Sequence, residues 1–152
     1  MDRRSRSRKT LRTDAAAMVA DCAGSNSRLA ARLITQLLDH ELAATELSVA
    51  QLGLLAHIAA TSDDTLSALA HRTGHEQSTL SRNLRTLEDD GLVEIAAVEG
   101  NLRRRMVWLT EAGARRLEAA IPVWRSAQAK LARGIPPRLA RQLAEAARAM
   151  TA

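Results

Sequence analysis

The chain has 152 residues, 46% of them hydrophobic, with a formal net charge of +5. That is enough for one domain with a core, or one small domain with extra helices. With two Trp, no Tyr and no Phe, the core must be aliphatic, and a single cysteine excludes an internal disulfide. The charge is unevenly placed. Six of the 22 basic residues and one of the 17 acidic ones fall in residues 1–13, leaving 16 of each in the rest. The high pI therefore reports a basic tail on a neutral body. No apolar run reaches membrane-spanning length, and the start lacks the apolar region of a secretory signal. A cytoplasmic protein with no membrane association is expected.

Residues 1–24 are expected to form a basic, disordered tail and lead-in, in which 14–23 read as a short helix or an irregular stretch. Gly24-Ser25-Asn26-Ser27 reads as a break offering helix N-caps. From Ser27 to Ala44, Leu29, Leu33 and Leu37 lie beside a second stripe of Ala30, Ile34 and Leu38. A helix apolar over so much of its surface is deeply buried or shared with a partner. Ser48 and Gln51 have the spacing of a capping box for the next helix, which carries Val49, Leu52, Leu55 and Ile58. Thr65 opens a third helix that Gly74 ends, and a fourth runs from about Glu76 to Asp89 with Leu80, Leu84 and Leu87 inward.

The periodicity then shifts to two. Leu92–Ile95 and Arg105–Leu109 read as the strands of a hairpin around a Gly100-Asn101 turn. Thr110 caps a long helix containing Pro122, Gly134 and Pro136-Pro137 break it, and a last helix carries Leu139, Leu143 and Met150. The fold class expected is mainly α with a small β-hairpin wing: a winged helix-turn-helix flanked by apolar outer helices.

Leu69, Ala70, Gly74 and Leu80 supply the packing positions of two short helices around a tight turn. The second helix then presents Gln77, Ser78, Thr79, Ser81, Arg82 and Arg85 outward. Gln suits adenine, Arg suits guanine, and short hydroxyls allow close approach to phosphates. Arg103, Arg104 and Arg105 give the hairpin a basic tip suited to the narrow minor groove. These nine residues are the candidate DNA contacts.

The stretch LSALAHRTGHEQSTLSRNLRTLEDDGLVE followed by NLRRRMVWLTEAG resembles the MarR family of bacterial regulators, over roughly residues 27–150. The segment PVWRSAQAKL is similar to one branch of that family. The resemblance implies a homodimer whose outer helices, about 25–45 and 111–151, interlock, with a winged domain at about 47–110. It implies binding to a pseudo-palindromic operator and control of nearby genes, most simply repression relieved by a small-molecule effector or an oxidant. Where the family wing carries Asp-x-Arg, this chain has Asn101-Leu102-Arg103, keeping the arginine without the acid that braces it. Thr73 and His75 are polar where the family turn is apolar.

Other residues carry two readings. Cys22 is either an inert thiol or a redox sensor favoured by Arg28 and a nearby helix start. Trp108 and Trp124 are core or dimer packing, or they line an effector pocket. The family's pocket position would involve Arg28, Arg32, Leu55 and Trp108. His71 and His75 are four apart, but Gly74 intervenes and no third ligand completes a metal site. No metal or cofactor is expected. The chain carries no phosphate loop or nucleophile elbow, so no enzyme is expected. The alternatives to a specific regulator are an architectural or weakly specific DNA binder, which the tail favours, and a protein-interaction module that has lost DNA.

Overall fold

The computed structural model describes residues 3–61, 65–74, 76–98 and 101–150, with side chains at all of these except 3–9, 98 and 101–104. The chain divides into two compact units, Met1–Leu37 and Leu38–Ala152.

The first unit holds helix α1 (Arg3–Asp21) and most of α2 (Ala23–Leu42). A helix over Arg3–Asp21 replaces the expected disordered tail. The physical reason is local: the segment contains no Gly or Pro and is rich in Ala and Arg, both strong helix formers. Residues 10–21 are exposed throughout, so burial within the chain contributes little to this helix. The break also falls earlier than expected, at Cys22. Gly24-Ser25-Asn26-Ser27 lie inside the first turns of α2, where short polar residues satisfy a helix start as readily as they end one. Asn26 ties the junction together: its N–H donates to the Cys22 carbonyl at 3.0 Å, and its amide donates to the Ala20 carbonyl at 2.9 Å.

In the second unit the end of α2 leads through a 3₁₀ turn (Ala43–Thr45) to α3 (Val49–Ala59), α4 (Leu66–Thr73) and α5 (Gln77–Asp89). Strands β1 (Val93–Val98) and β2 (Asn101–Leu109) follow, then α6 (Glu111–Leu131) and α7 (Pro137–Ala149). The expected order of helices and hairpin is therefore present.

The capping box at α3 is complete. The Ser48 hydroxyl accepts from the Gln51 N–H at 3.2 Å, and the Gln51 side-chain oxygen accepts from the Ser48 N–H at 2.9 Å. Asp39 adds a cap that spacing does not reveal, accepting from the Val49 N–H at 2.7 Å across ten residues. Together these satisfy the Ser48, Val49 and Gln51 amides at the helix start.

The core is aliphatic, as composition requires. Leu42, Leu54, Leu55, Leu69, Leu80, Leu84, Leu87, Val93 and Val107 are all essentially inaccessible, and they join one cluster with Leu117 and Ala120 of α6. No polar or charged residue is buried among the described residues. Burying a leucine side chain contributes about 2 kcal/mol, so these contacts dominate the unit's stability.

Pro122 lies inside α6, and the helix runs on to Leu131. Lys130 of α6 donates to Glu41 of α2 at 2.5 Å, and Arg116 donates to Glu46 at 3.0 Å. Arg116 also reaches the Thr45 carbonyl at 3.2 Å. In contrast to the core elements, α7 buries no residue: Leu139 and Leu143, and Met150 at its C-cap, are all largely exposed. On α2, Leu29, Leu33 and Leu37 are exposed as well.

Candidate nucleic-acid interface

The pair α4–α5 is set by three local devices. Thr65 caps α4, its hydroxyl accepting from the Ala68 N–H at 3.3 Å. Gly74 ends α4 in a left-handed conformation, φ 66°, which a residue with a Cβ adopts only at a cost. Leu69, Leu80, Leu84 and Leu87 then bury the facing sides of both helices. Thr73, polar at an otherwise apolar family position, satisfies itself within α4 by donating to the Leu69 carbonyl at 2.8 Å. His75 lies outside the described residues.

Because Leu80, Leu84 and Leu87 point inward, the opposite face of α5 is presented to solvent. Gln77, Ser78, Thr79, Ser81, Arg82 and Arg85 are all exposed, at the places the spacing predicts. The acids Glu88, Asp89 and Asp90 follow at the far end of the helix, also exposed. The outward face thus runs from uncharged hydroxyls and amide, through two arginines, to a negative end.

The hairpin is positioned from both ends. Its register pairs Val93 with Leu109, Ile95 with Val107 and Ala97 with Arg105, with an irregularity between Ala97 and Val98. Val107 and Val93 are core residues, so this face of the hairpin packs inward. Thr65 pairs with Met106 in an isolated antiparallel bridge, tying the start of α4 to the wing. On the other face, Trp108 donates its indole N–H to Glu94 at 3.0 Å across the strand pair. Arg105 is exposed. Arg103 and Arg104 belong to β2 by their backbone, while their side chains, and the Gly100 part of the expected turn, lie outside the described residues.

Of the residues expected to form an effector pocket, Leu55 and Trp108 belong to the second unit and Arg28 and Arg32 to the first. Leu55 is fully buried and presents no surface to a ligand. Trp108 lies on the wing, held by Glu94, and Arg28 and Arg32 are exposed on α2 in the first unit. Helix α3 is apolar on nearly every side, so its inward face cannot be told from its pattern. A cavity of about 590 Å³ instead lies between α3 and α6, lined by Val49, Leu52, Ala56, His57, Ile121 and Trp124 among others. Of the two tryptophans, Trp124 lines this cavity and Trp108 does not.

Cys22 is exposed. The Ser25 hydroxyl, and after it the backbone N–H groups of Ser25 and Gly24, hold its thiol below the ordinary cysteine range. His71 is exposed on α4, and no cluster of three potential metal ligands occurs among the described residues.

The MarR family model matches residues 45–104, from the turn before α3 to the first half of β2. The chain is 35% identical to the Mycobacterium tuberculosis transcriptional regulator MosR, solved in complex with DNA. The match covers 86% of this chain and 97% of that one, with a TM-score of 0.78. The chain belongs to the MarR family.

Two further structures share the MarR fold at lower identity. A mutant MarR from E. coli, bound to operator DNA, is 19% identical over 88% of this chain and 96% of its own, with a TM-score of 0.72. The S. aureus MepR–DNA complex is 20% identical, covering 85% of this chain and 96% of its own, with a TM-score of 0.69. A comparison with curated proteins found no match. As a MarR-family transcriptional regulator the chain is not an enzyme, and its winged helix-turn-helix comprises α3–α5 and the β1–β2 wing. No single described helix is long and apolar enough to cross a membrane.

Proposed function

We propose that this chain is a homodimeric, sequence-specific DNA-binding repressor of nearby genes, acting in the cytoplasm. The observation that carries the reading is the two-faced α5, with Leu80, Leu84 and Leu87 sealed in the core and Gln77, Ser78, Thr79, Ser81, Arg82 and Arg85 all turned to solvent. A helix so mounted can enter the major groove, with its N-terminal residues at base edges and Arg103, Arg104 and Arg105 of the wing at the backbone or minor groove. The DNA complex of MosR, 35% identical, supports the same partner.

Dimerisation is supported by the apolar stripes that the single chain leaves open. Leu139 and Leu143 on α7, Met150 at its C-cap, and Leu29, Leu33 and Leu37 on α2, are too many aliphatic side chains to stand in water unless a second copy covers them. Two α5 helices related by a twofold axis require a pseudo-palindromic site with half-sites about one helical turn apart.

Relief of repression is assigned to an effector of mainly apolar character in the α3–α6 cavity, with His57 and the Trp124 ring as its polar and aromatic contacts. Such a ligand acts by binding one dimer geometry more tightly than the other. Oxidation of Cys22, whose thiol is exposed and acidified, is a second input to the same dimer.

Selection from a random 30-base-pair library with the purified protein tests the central part. Enrichment of a pseudo-palindrome is the expected result. Recovery of unenriched DNA would instead favour the architectural reading, and recovery of none the protein-interaction reading.

A further inference from the structure

We infer that Arg85 and Arg105 hold one backbone phosphate between them, in the cleft between α5 and the wing, and that Arg85 therefore does not read a base. The inference rests on the DNA-binding reading above and changes the role that spacing alone gives Arg85.

The cleft has a volume of about 420 Å³. Ser81, Arg85, Glu88 and Asp89 line it from α5, and Ile95 and Arg105 line it from the hairpin. Arg105 arrives there by strand alternation. It stands two residues before Val107, which is fully buried, so both project from the same face of β2. That face packs on the core at Val107 and faces α5 at Arg105.

Among the described residues neither Arg85 nor Arg105 belongs to an ion pair, although two carboxylates line the same cleft. Two exposed arginines therefore line one recess, and neither is engaged by the carboxylates that share it. A phosphodiester answers that arrangement: it accepts from both planar forks, and the Ser81 hydroxyl offers a third donor.

Position along α5 argues against base reading. Recognition helices meet base edges with their N-terminal residues. Arg85 is eight residues beyond Gln77, about 12 Å along the axis at 1.5 Å per residue. Glu88 and Asp89 come next on the same wall. Their charge repels a strand that would slide deeper, which stops the phosphate beside Arg85.

The test uses full-length wild type, R85Q, R105Q, R85K and the R85Q/R105Q double variant. The probes are a duplex selected from a random library by the wild type, its single-base variants, and a scrambled duplex of equal length. Affinity is measured across a salt series, and circular dichroism checks that each variant is folded. R85Q should lose roughly tenfold in affinity on every duplex alike, with unchanged ranking of the single-base variants. R85K, which keeps the charge and loses the planar fork, should fall between wild type and R85Q on every duplex. The double variant should lower the slope of log K against log salt by about 0.9, one phosphate's worth, and neither single variant by more.

An altered base preference in R85Q, at any one position, overturns the inference. So does a slope loss of about 1.8 in the double variant, which would mean two separate phosphates. A wild type that selects no duplex removes the DNA-binding reading and this inference with it, an outcome distinct from the other two.

Discussion

The α-carbon of Gly113 lies so close to the Leu92 carbonyl that an added Cβ would fall 1.9 Å from its oxygen. Leu92 lies between α5 and β1 and Gly113 sits in the first turn of α6, so this contact fixes where α6 leaves the hairpin. The same carbonyl accepts from the Thr110 N–H at 3.1 Å. Gly113→Ala must shift backbone and is expected to cost about 3 kcal/mol. Gly74→Ala and Gly91→Ala, where φ is positive but the space is open, are expected to cost about 1 kcal/mol each. Urea denaturation at one fixed protein concentration checks the ranking. A loss at 113 no larger than at the other two would mean that the backbone yields readily at the close approach.

Thr110 has two side-chain roles at once. Its hydroxyl accepts from the Gly113 N–H at 3.0 Å and donates to the Gly91 carbonyl at 2.7 Å. Thr110→Val, which removes both, is expected to lose about 2 kcal/mol, against about 1 kcal/mol for Thr65→Val at the cap of α4. Thr110→Ser should restore most of the loss. Thermal unfolding of the three variants distinguishes this from a requirement for the β-branched shape, in which Val and not Ser would be tolerated.

Leu139 and Leu143 are both more than half exposed on α7. The double substitution Leu139→Asp/Leu143→Asp places two charges where the proposed dimer contact lies. Sedimentation should show a shift from dimer to monomer, with the aliphatic core of residues 42–120 still folded by circular dichroism. A dimer that persists would place the contact elsewhere.

The Cys22 thiol, acidified first by the Ser25 hydroxyl, should be alkylated by iodoacetamide with a pH midpoint below that of the same residue in the urea-unfolded chain. Its thiolate fraction, and so its reactivity, is lost as pH falls through that lowered midpoint. Ser25→Ala should move the midpoint back up. Coincident midpoints in folded and unfolded protein would contradict the assigned hydrogen bonds.

Much of this fold is legible in particular residues. Ser48 with Gln51, Thr65, Gly74 and Thr110 each announce a helix boundary through chemistry that acts within three or four residues, and the structure places each boundary there. The outward face of α5 was legible because Leu80, Leu84 and Leu87 leave the core only one side of that helix. Contacts over longer distance left no local mark. The Asp39 cap on Val49, the Thr65–Met106 bridge and the Gly113–Leu92 approach depend on tertiary placement. The strand beyond Ile95 was missed because Ala96 and Ala97 lack β-formers' shape, and pairing with Met106 and Arg105 extends it regardless. The cavity between α3 and α6 left no mark in the sequence because α3 is apolar on nearly every side, so that its pattern does not say that Leu55 faces the core and Ala56 and His57 the cavity.

The central claim is that α5 reads sequence. It is tested most directly by titrating wild type, Gln77→Ala and Arg82→Ala against the DNA upstream of the protein's own gene and against a scrambled duplex, at one salt concentration. The account predicts that the wild type prefers the natural duplex by about a thousandfold or more, and that each substitution reduces this preference while leaving binding to the scrambled duplex nearly unchanged. Equal wild-type affinity for both duplexes, or variants that keep the full preference, would contradict it.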